Sequence, residues 1–433
     1  MQSSPEWSCT VTDNFRLTGP LRIPLLRRAL TEISLRHGSL RMRVVTVDGT
    51  TQTEVTPHRP CLLESMRIRG DSATDIETNA RRTVDYISEL QIDPTADLPL
   101  RARLLELSDH EHWLVMSMHR LVGDCSSIGQ VFREVWSVYN QLLQDQLLED
   151  TAPPPQYGDY ALWQQRTYPE WVKRHEPYWK QRLAGAAPLQ WPARTGATEA
   201  ERGVLGRMHC HFGENLSAQV RELARRVKAL PGTVLLAVYV AVLRRWCNQN
   251  DFVVPFLVTG RSSEYKRTLG NFSYALYLRL QLTGSETFDA LVGRVSNEFY
   301  KALAHQDSGR VATQRPELLS GTVFQWITWH PDDALSPTTP TTPGATELTA
   351  ERLAIRDFAG GVTAVPPGKV DVEVTFFDTA QGIYAAGAYP AERFEAETMQ
   401  RFIQDVRSAT EEFVRHPHTR VAPDLEEKLT AAV

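Results

Sequence analysis

The residues best suited to chemistry lie in one run, Met118-His119-Arg120-Leu121-Val122-Gly123-Asp124-Cys125, directly after an apolar segment. His119 offers an imidazole, although a lone histidine in such a place is more often a satisfied core residue than a base. Arg120 stays protonated at physiological pH, so it cannot take a proton from an amine nucleophile. It can donate forked hydrogen bonds to a carbonyl, carboxylate or phosphate, or stabilise an oxyanion. A thiol nucleophile at Cys125 would need a base or a depressed pKa, whereas free cysteine usually behaves as a small buried hydrophobe. Elsewhere, His209-Cys210-His211 puts two imidazoles on one face of an expected strand. No third and fourth ligand at suitable spacing accompany them, so no metal site is expected. The sequence has no glycine-rich phosphate loop and no Gly-x-Ser-x-Gly elbow.

The elements that must hold this run follow from hydrophobic periodicity. Strands are expected over 9–17, 40–47 and 61–68, and a helix over 22–37 with Leu26, Ala29, Leu30 and Ile33 on one face. Ser72 is a plausible N-cap for a helix over 72–90. Residues 98–107 and 112–118 resemble a hairpin that delivers the chain to His119. After Cys125, Ile128, Val131, Val135, Val138 and Leu142 mark the inner face of a helix. Three prolines at 153–155 break the chain, and 157–183 reads as one or two aromatic-rich helices.

The composition around 184–198 turns to Gly, Ala and Pro, which places a boundary between lobes at 1–183 and 184–433. The second lobe repeats the mixed pattern. Strands are expected over 206–212, 251–259, 273–282, 322–329, 369–377 and 382–388. Helices are expected over 215–230, 233–246, 287–305 and 392–415. The segment 331–346, rich in Pro, Thr and Asp, reads as a surface loop. The fold class is α/β.

A chain of 433 residues can hold two domains with sizeable cores. A net charge of −5 argues against binding nucleic acid through its phosphates. Five scattered cysteines without Cys-x-x-Cys suit reduced thiols, and residues 1–7 lack the pattern of a secretory signal, so a cytoplasmic location is expected. The most apolar stretch, 234–243, is too short to span a bilayer, and no membrane partner is expected.

The run around His119 resembles the His-His-x-x-x-Asp-Gly signature of the condensation-domain superfamily of nonribosomal peptide synthesis. Arg120 stands for the second His and Cys125 for the Gly. Further resemblances follow in family order: Arg36-His37-Gly38-Ser39-Leu40-Arg41, Tyr157-Gly158-Asp159-Tyr160-Ala161-Leu162-Trp163-Gln164, Gly260-Arg261, Leu269-Gly270-Asn271-Phe272 and His305-Gln306-Asp307. Asp307 is followed by Ser308-Gly309-Arg310 where the family has x-Pro-Phe.

The resemblance implies two chloramphenicol-acetyltransferase-like lobes forming a V-shaped pseudo-dimer with a central channel. It implies a structural ion pair between Asp124 and Arg261 that braces one lobe to the other, with position 120 on the channel side and His119 in packed structure. His119 and Arg120 are the candidate catalytic residues; Cys125, Asn271 and His305 are channel-lining candidates. No metal or other directly bound cofactor is implied. The phosphopantetheine arm of a peptidyl or acyl carrier protein would enter the channel. The His-Arg variant is similar to that of the X domain of glycopeptide synthetases, which recruits cytochrome P450 oxygenases. A docking or recruitment platform is therefore one expectation, and an atypical acyltransferase forming an amide or ester bond from a carrier-bound thioester is the other.

Overall fold

The computed structural model describes residues 10–57, 63–146, 148, 153–192, 204–306, 314–328, 348–353 and 370–421; the side chain of Cys125 lies outside this set. The expected loop over 331–346 also falls outside it. Two compact units interleave along the chain. One comprises Met1–Pro169, Arg261–Phe272 and His330–Pro366; the other comprises Glu170–Gly260, Ser273–Trp329 and Pro367–Val433.

The first unit is built on a five-stranded sheet. Its strands are β1 (Thr10–Thr18), β4 (Leu63–Arg67), β5 (Leu100–Glu106), β6 (Glu111–His119) and β11 (Thr349–Arg352). They lie in the order β11-β1-β6-β5-β4, and only β4 and β5 run parallel. Strand alternation assigns the two faces of β6. Leu114, Met116 and Met118 join the core under α1 (Ile23–Arg36) and α3 (Cys125–Leu143). Trp113 and Val115 pack on the opposite side with Ala80, Val84 and Ile87 of α2 (Ala73–Glu89). Helix α2 starts at Ser72, whose hydroxyl accepts from the Asp75 N–H at 3.1 Å. A separate hairpin joins β2 (Met42–Val47) to β3 (Thr50–Val55). Strand β3 has no counterpart in the sequence reading, because all six of its residues are exposed and carry no apolar alternation.

The stretch 157–183 forms one helix, α4 (Tyr157–Arg182), which continues through Pro169 and Pro177. Its residues up to Pro169 belong to the first unit and the rest to the second.

The second unit holds a six-stranded sheet. Its strands are β7 (Leu205–Phe212), β8 (Asp251–Thr259), β9 (Ser273–Gln281), β10 (Thr322–Thr328), β12 (Val372–Thr379) and β13 (Gly382–Pro390). Their order is β7-β13-β12-β10-β8-β9. Around the sheet lie α5 (Gly213–Arg226), α6 (Pro231–Cys247), α7 (Phe288–Ala304), a one-turn α8 (Glu317–Ser320) and α9 (Ala396–Arg415). Every residue of α6 from Gly232 to Leu243 is buried, which is why its sequence is apolar on all sides. Among the described residues no single helix is long and apolar enough to cross a membrane.

Candidate functional site around Asp124

The signature run occupies the turn between β6 and α3, and Asp124 is the N-cap of α3. Its Oδ1 accepts the Ser127 N–H at 3.0 Å, while Ser127 Oγ accepts the Asp124 N–H at 3.2 Å, a reciprocal capping box. Asp124 is 1% exposed, so the rest of its charge must be met by protein groups. Ser126 Oγ donates to Oδ1 at 2.8 Å and the Phe272 N–H to Oδ2 at 3.2 Å. Arg261 Nη1 lies 3.0 and 3.2 Å from the two carboxylate oxygens and also donates to Ser126 Oγ.

The other arm of Arg261 ties the same groups together. Nη2 donates to Ser127 Oγ at 2.8 Å and to the Gly270 carbonyl at 3.0 Å. The guanidinium carbon sits 4.7 Å from the centre of the Phe272 ring, a cation–π placement. One Arg–Asp pair thus fastens Arg261–Phe272 to the start of α3, all within the first unit. Burial pushes the Asp124 carboxyl up, but Arg261 and the Ser126 and Ser127 hydroxyls outweigh it and hold the carboxyl below its ordinary range.

Close packing sets the rest of the loop. A Cβ on Gly270 would lie 2.0 Å from Cδ2 of Tyr157, so only glycine lets the backbone pass this ring. The Tyr157 hydroxyl donates to the Asn271 carbonyl at 2.7 Å, and burial pushes the phenol up to about 12. Tyr160 packs on Phe272 and Tyr265, with centroids 4.6 and 5.0 Å apart. The Tyr-x-Asp-Tyr stretch therefore serves as the platform for the Leu269–Phe272 stretch.

The remaining candidates fall in different places. His119, 4% exposed, ends β6, and its Nδ1 accepts the Leu121 N–H at 3.0 Å. That bond needs a lone pair on Nδ1, so the ring proton sits on Nε2 in the neutral form. Arg120 follows in the turn and is half-buried. Cys125 is the first residue of α3, with its side chain outside the described set. Asn271 contributes its carbonyl to Tyr157. His305 belongs to the second unit, where it caps α7 and contacts His175. His209 and His211 flank Tyr384, and among the described residues no group of three or more His, Cys, Asp or Glu could hold a metal.

A second carboxylate, half-buried, steadies α3. Glu134 accepts from His37 Nε2 at 2.8 Å and from Gln130 Nε2 at 3.0 Å. Gln130 also donates to the Arg267 carbonyl at 2.5 Å. Burial pushes Glu134 up, yet His37, Gln130 and Arg36 hold it below its ordinary range. Both depressed carboxyls contribute stability that is complete above the unfolded-state values near 4 and is lost as pH falls through the folded-state values. The share of the thermal midpoint that these two carboxyls supply should therefore hold from neutral pH to about 5 and fall below it. Glu134→Gln should flatten that acid limb in differential scanning fluorimetry. An unchanged limb would mean Glu134 is not held by these partners.

Sequence reasoning missed Ser126, Ser127 and Phe272 as partners of Asp124, and Gly270 as a partner of Arg261 and Ser127. The Asp-x-x-Ser spacing of Asp124 and Ser127 is a readable N-cap signal. The backbone N–H of Phe272 and carbonyl of Gly270 leave none.

The family profile described as "Condensation domain" matches residues 3–314. The chain belongs to the condensation domain family. A linear gramicidin synthase of Brevibacillus parabrevis is 26% identical over 93% of this chain. Chondramide synthase cmdD of Chondromyces crocatus is 31% identical over 67% of it. The chain spans about 8% of the length of each of these relatives. Among solved structures, SgcC5 of Streptomyces globisporus aligns with a TM-score of 0.80 at 22% identity, covering 97% of this chain and 96% of that one. The X-domain from teicoplanin biosynthesis aligns at 0.78 and 20%, covering 96% and 93%, and a similar chain was solved in complex with OxyB. At these identities the structural likeness shows that this condensation domain has the family fold.

Proposed function

We propose that this condensation domain serves nonribosomal peptide biosynthesis as a docking or recruitment platform for carrier-protein-bound intermediates or tailoring enzymes, without condensing them. The observation that carries this reading is Arg120 in a loop whose framework is otherwise intact. Asp124 and Arg261 keep the turn in shape, while the family's second His, the group credited with help at the reacting amine, is replaced by a guanidinium that cannot accept a proton. The same cation can grip a carboxylate or phosphate. A structural neighbour solved with OxyB supports a tailoring enzyme as a kind of partner. The chain itself holds no cofactor in this reading; the phosphopantetheine arm arrives on a peptidyl or acyl carrier protein.

A second reading, an atypical acyltransferase, is favoured by the same intact framework. Holding a thioester against an amine or alcohol lowers the barrier by several kcal/mol without a base. SgcC5, which shares the fold, was solved with a naphthyl ethanediol.

Binding and transfer separate the two. The wild-type chain should bind a loaded carrier protein or an oxygenase in calorimetry, and Arg120→Ala should weaken that binding by about tenfold or more, the scale of a lost charged hydrogen bond. Binding unchanged in Arg120→Ala, together with product formed by the wild type and not by the variant, would replace the platform with the transferase.

A further inference from the structure

The second unit holds two imidazoles in direct contact at the C-terminal end of α7. Nδ1 of His175, on α4, lies 3.0 Å from Nδ1 of His305. The ring centroids are 5.1 Å apart and the planes cross at 77°. With those spacings both nitrogens lie close to the line joining the ring centres, so they meet head-on. This is the geometry of an N–H···N hydrogen bond; a metal shared by both lone pairs would need them to converge beside that line.

Each ring of the pair stacks on an aromatic neighbour. His175 stacks on Trp171 with centroids 4.5 Å apart, and His305 lies parallel to Tyr178 at 3.9 Å. The Trp179 indole N–H donates to the His305 carbonyl at 2.9 Å. Together these contacts fasten the last turn of α7 to α4.

Proton counting decides how the fastening responds to pH. In the neutral pair one ring carries its proton on Nδ1 and donates it, and the other accepts. A first added proton goes to the outer Nε2 of the donor ring, leaves the bond in place and makes it charge-assisted. A second proton can go only to the accepting Nδ1. It removes the acceptor and sets two cations face to face.

We propose that His175 and His305 form a two-proton joint, closed with no added proton or one, and opened by the second so that the end of α7 separates from α4. The groups around it favour this order. Arg174 adds positive charge on α4, where Glu176 is paired with Lys180 at 3.4 Å. On α7, Glu298 is paired with Arg182 at 2.7 Å and Lys301 at 3.6 Å. From β9, Tyr274 donates to Gln306 at 2.8 Å. Burial, His305 and Arg174 hold His175 below the usual histidine range. The unfolded chain thus binds more protons than the folded one below about pH 6.5, and the joint loses stability as pH falls.

Imidazole 15N NMR of the full chain from pH 8 to 4.5 tests this. The pair should titrate in two separated macroscopic steps, and the Trp179 indole resonance should shift only at the lower one. His175→Phe, which keeps a ring on Trp171, should abolish the coupled Trp179 shift. One common step for both rings would overturn the joint. A Trp179 shift that persists at the same pH in His175→Phe, or global unfolding with no separate Trp179 step, counts equally against it.

Discussion

Asp124→Ala should destabilise the chain by roughly 3–5 kcal/mol, the cost of stranding one partner of a buried ion pair. Arg261, whose side chain is 9% exposed, would keep its charge with no carboxylate beside it. The Phe272 N–H and the Ser127 N–H would lose their acceptor as well. Asp124→Asn separates the contributions in part, because its amide oxygen still caps the helix while the charge and the acceptor for the Phe272 N–H are removed. Arg261→Met leaves the opposite orphan, a buried carboxyl that can escape by protonation. Losing Arg261 removes the largest cause that lowers its pKa and leaves the Ser126 and Ser127 hydroxyls against burial, so the carboxyl moves upward and the stability Asp124 contributes at high pH shrinks. In the wild type the contribution of Asp124 is already complete at pH 5 and stays level to pH 8. Urea unfolding at pH 5 and pH 8 measures this; the same pH slope in wild type and Arg261→Met would mean that Arg261 does not set the charge of Asp124.

The second large effect is expected at Gly270. A methyl group there meets the flat ring of Tyr157 at 2.0 Å, and the ring is held by its hydrogen bond to Asn271 and its edge contact with Phe272. Overpacking of this kind costs about 1–3 kcal/mol. It also displaces the carbonyl that receives Arg261 and Ser127, so the ion-pair assembly loosens with it. The coupling can be isolated in a double-mutant cycle. Gly270→Ala should cost at least about 1 kcal/mol less in a Tyr157→Ala background, because the clash has gone. Strict additivity would show that the ring is not what excludes a side chain at position 270.

How far the sequence carries depends on whether a signal is local. The alternation in 112–118, the apolar face from Ile128 to Leu142 and the Ser72 cap all act over a few residues, and the corresponding elements form where periodicity put them. Strand β11 could not be found this way. It has four residues, and its Arg352 meets Asp13 at a separation of 339 positions, a contact with no local trace. The stretch 157–183, read as one or two helices, is the single helix α4 and runs through Pro169 and Pro177, because a missing N–H weakens a helix without always ending it. At the site, the pairing of Asp124 with Arg261 was legible only through the family resemblance. Backbone donors and acceptors from Gly270 and Phe272, which complete the assembly, have no residue type to betray them. Arg120 was the reverse case: its type states what it cannot do, whereas its environment comes from the turn that holds it.

The most direct measurement of the central claim is a single-turnover transfer assay. A donor carrier protein loaded with an acyl thioester is mixed with the wild-type chain and an amine acceptor on its cognate carrier, and the acceptor is analysed by intact-protein mass spectrometry. If Arg120 makes this condensation domain a platform, the chain binds the loaded carriers and the acyl group stays on the donor beyond the uncatalysed rate. Acyl transfer by the wild type, lost in Arg120→Ala, would contradict that account and make Arg120 a participant in bond formation.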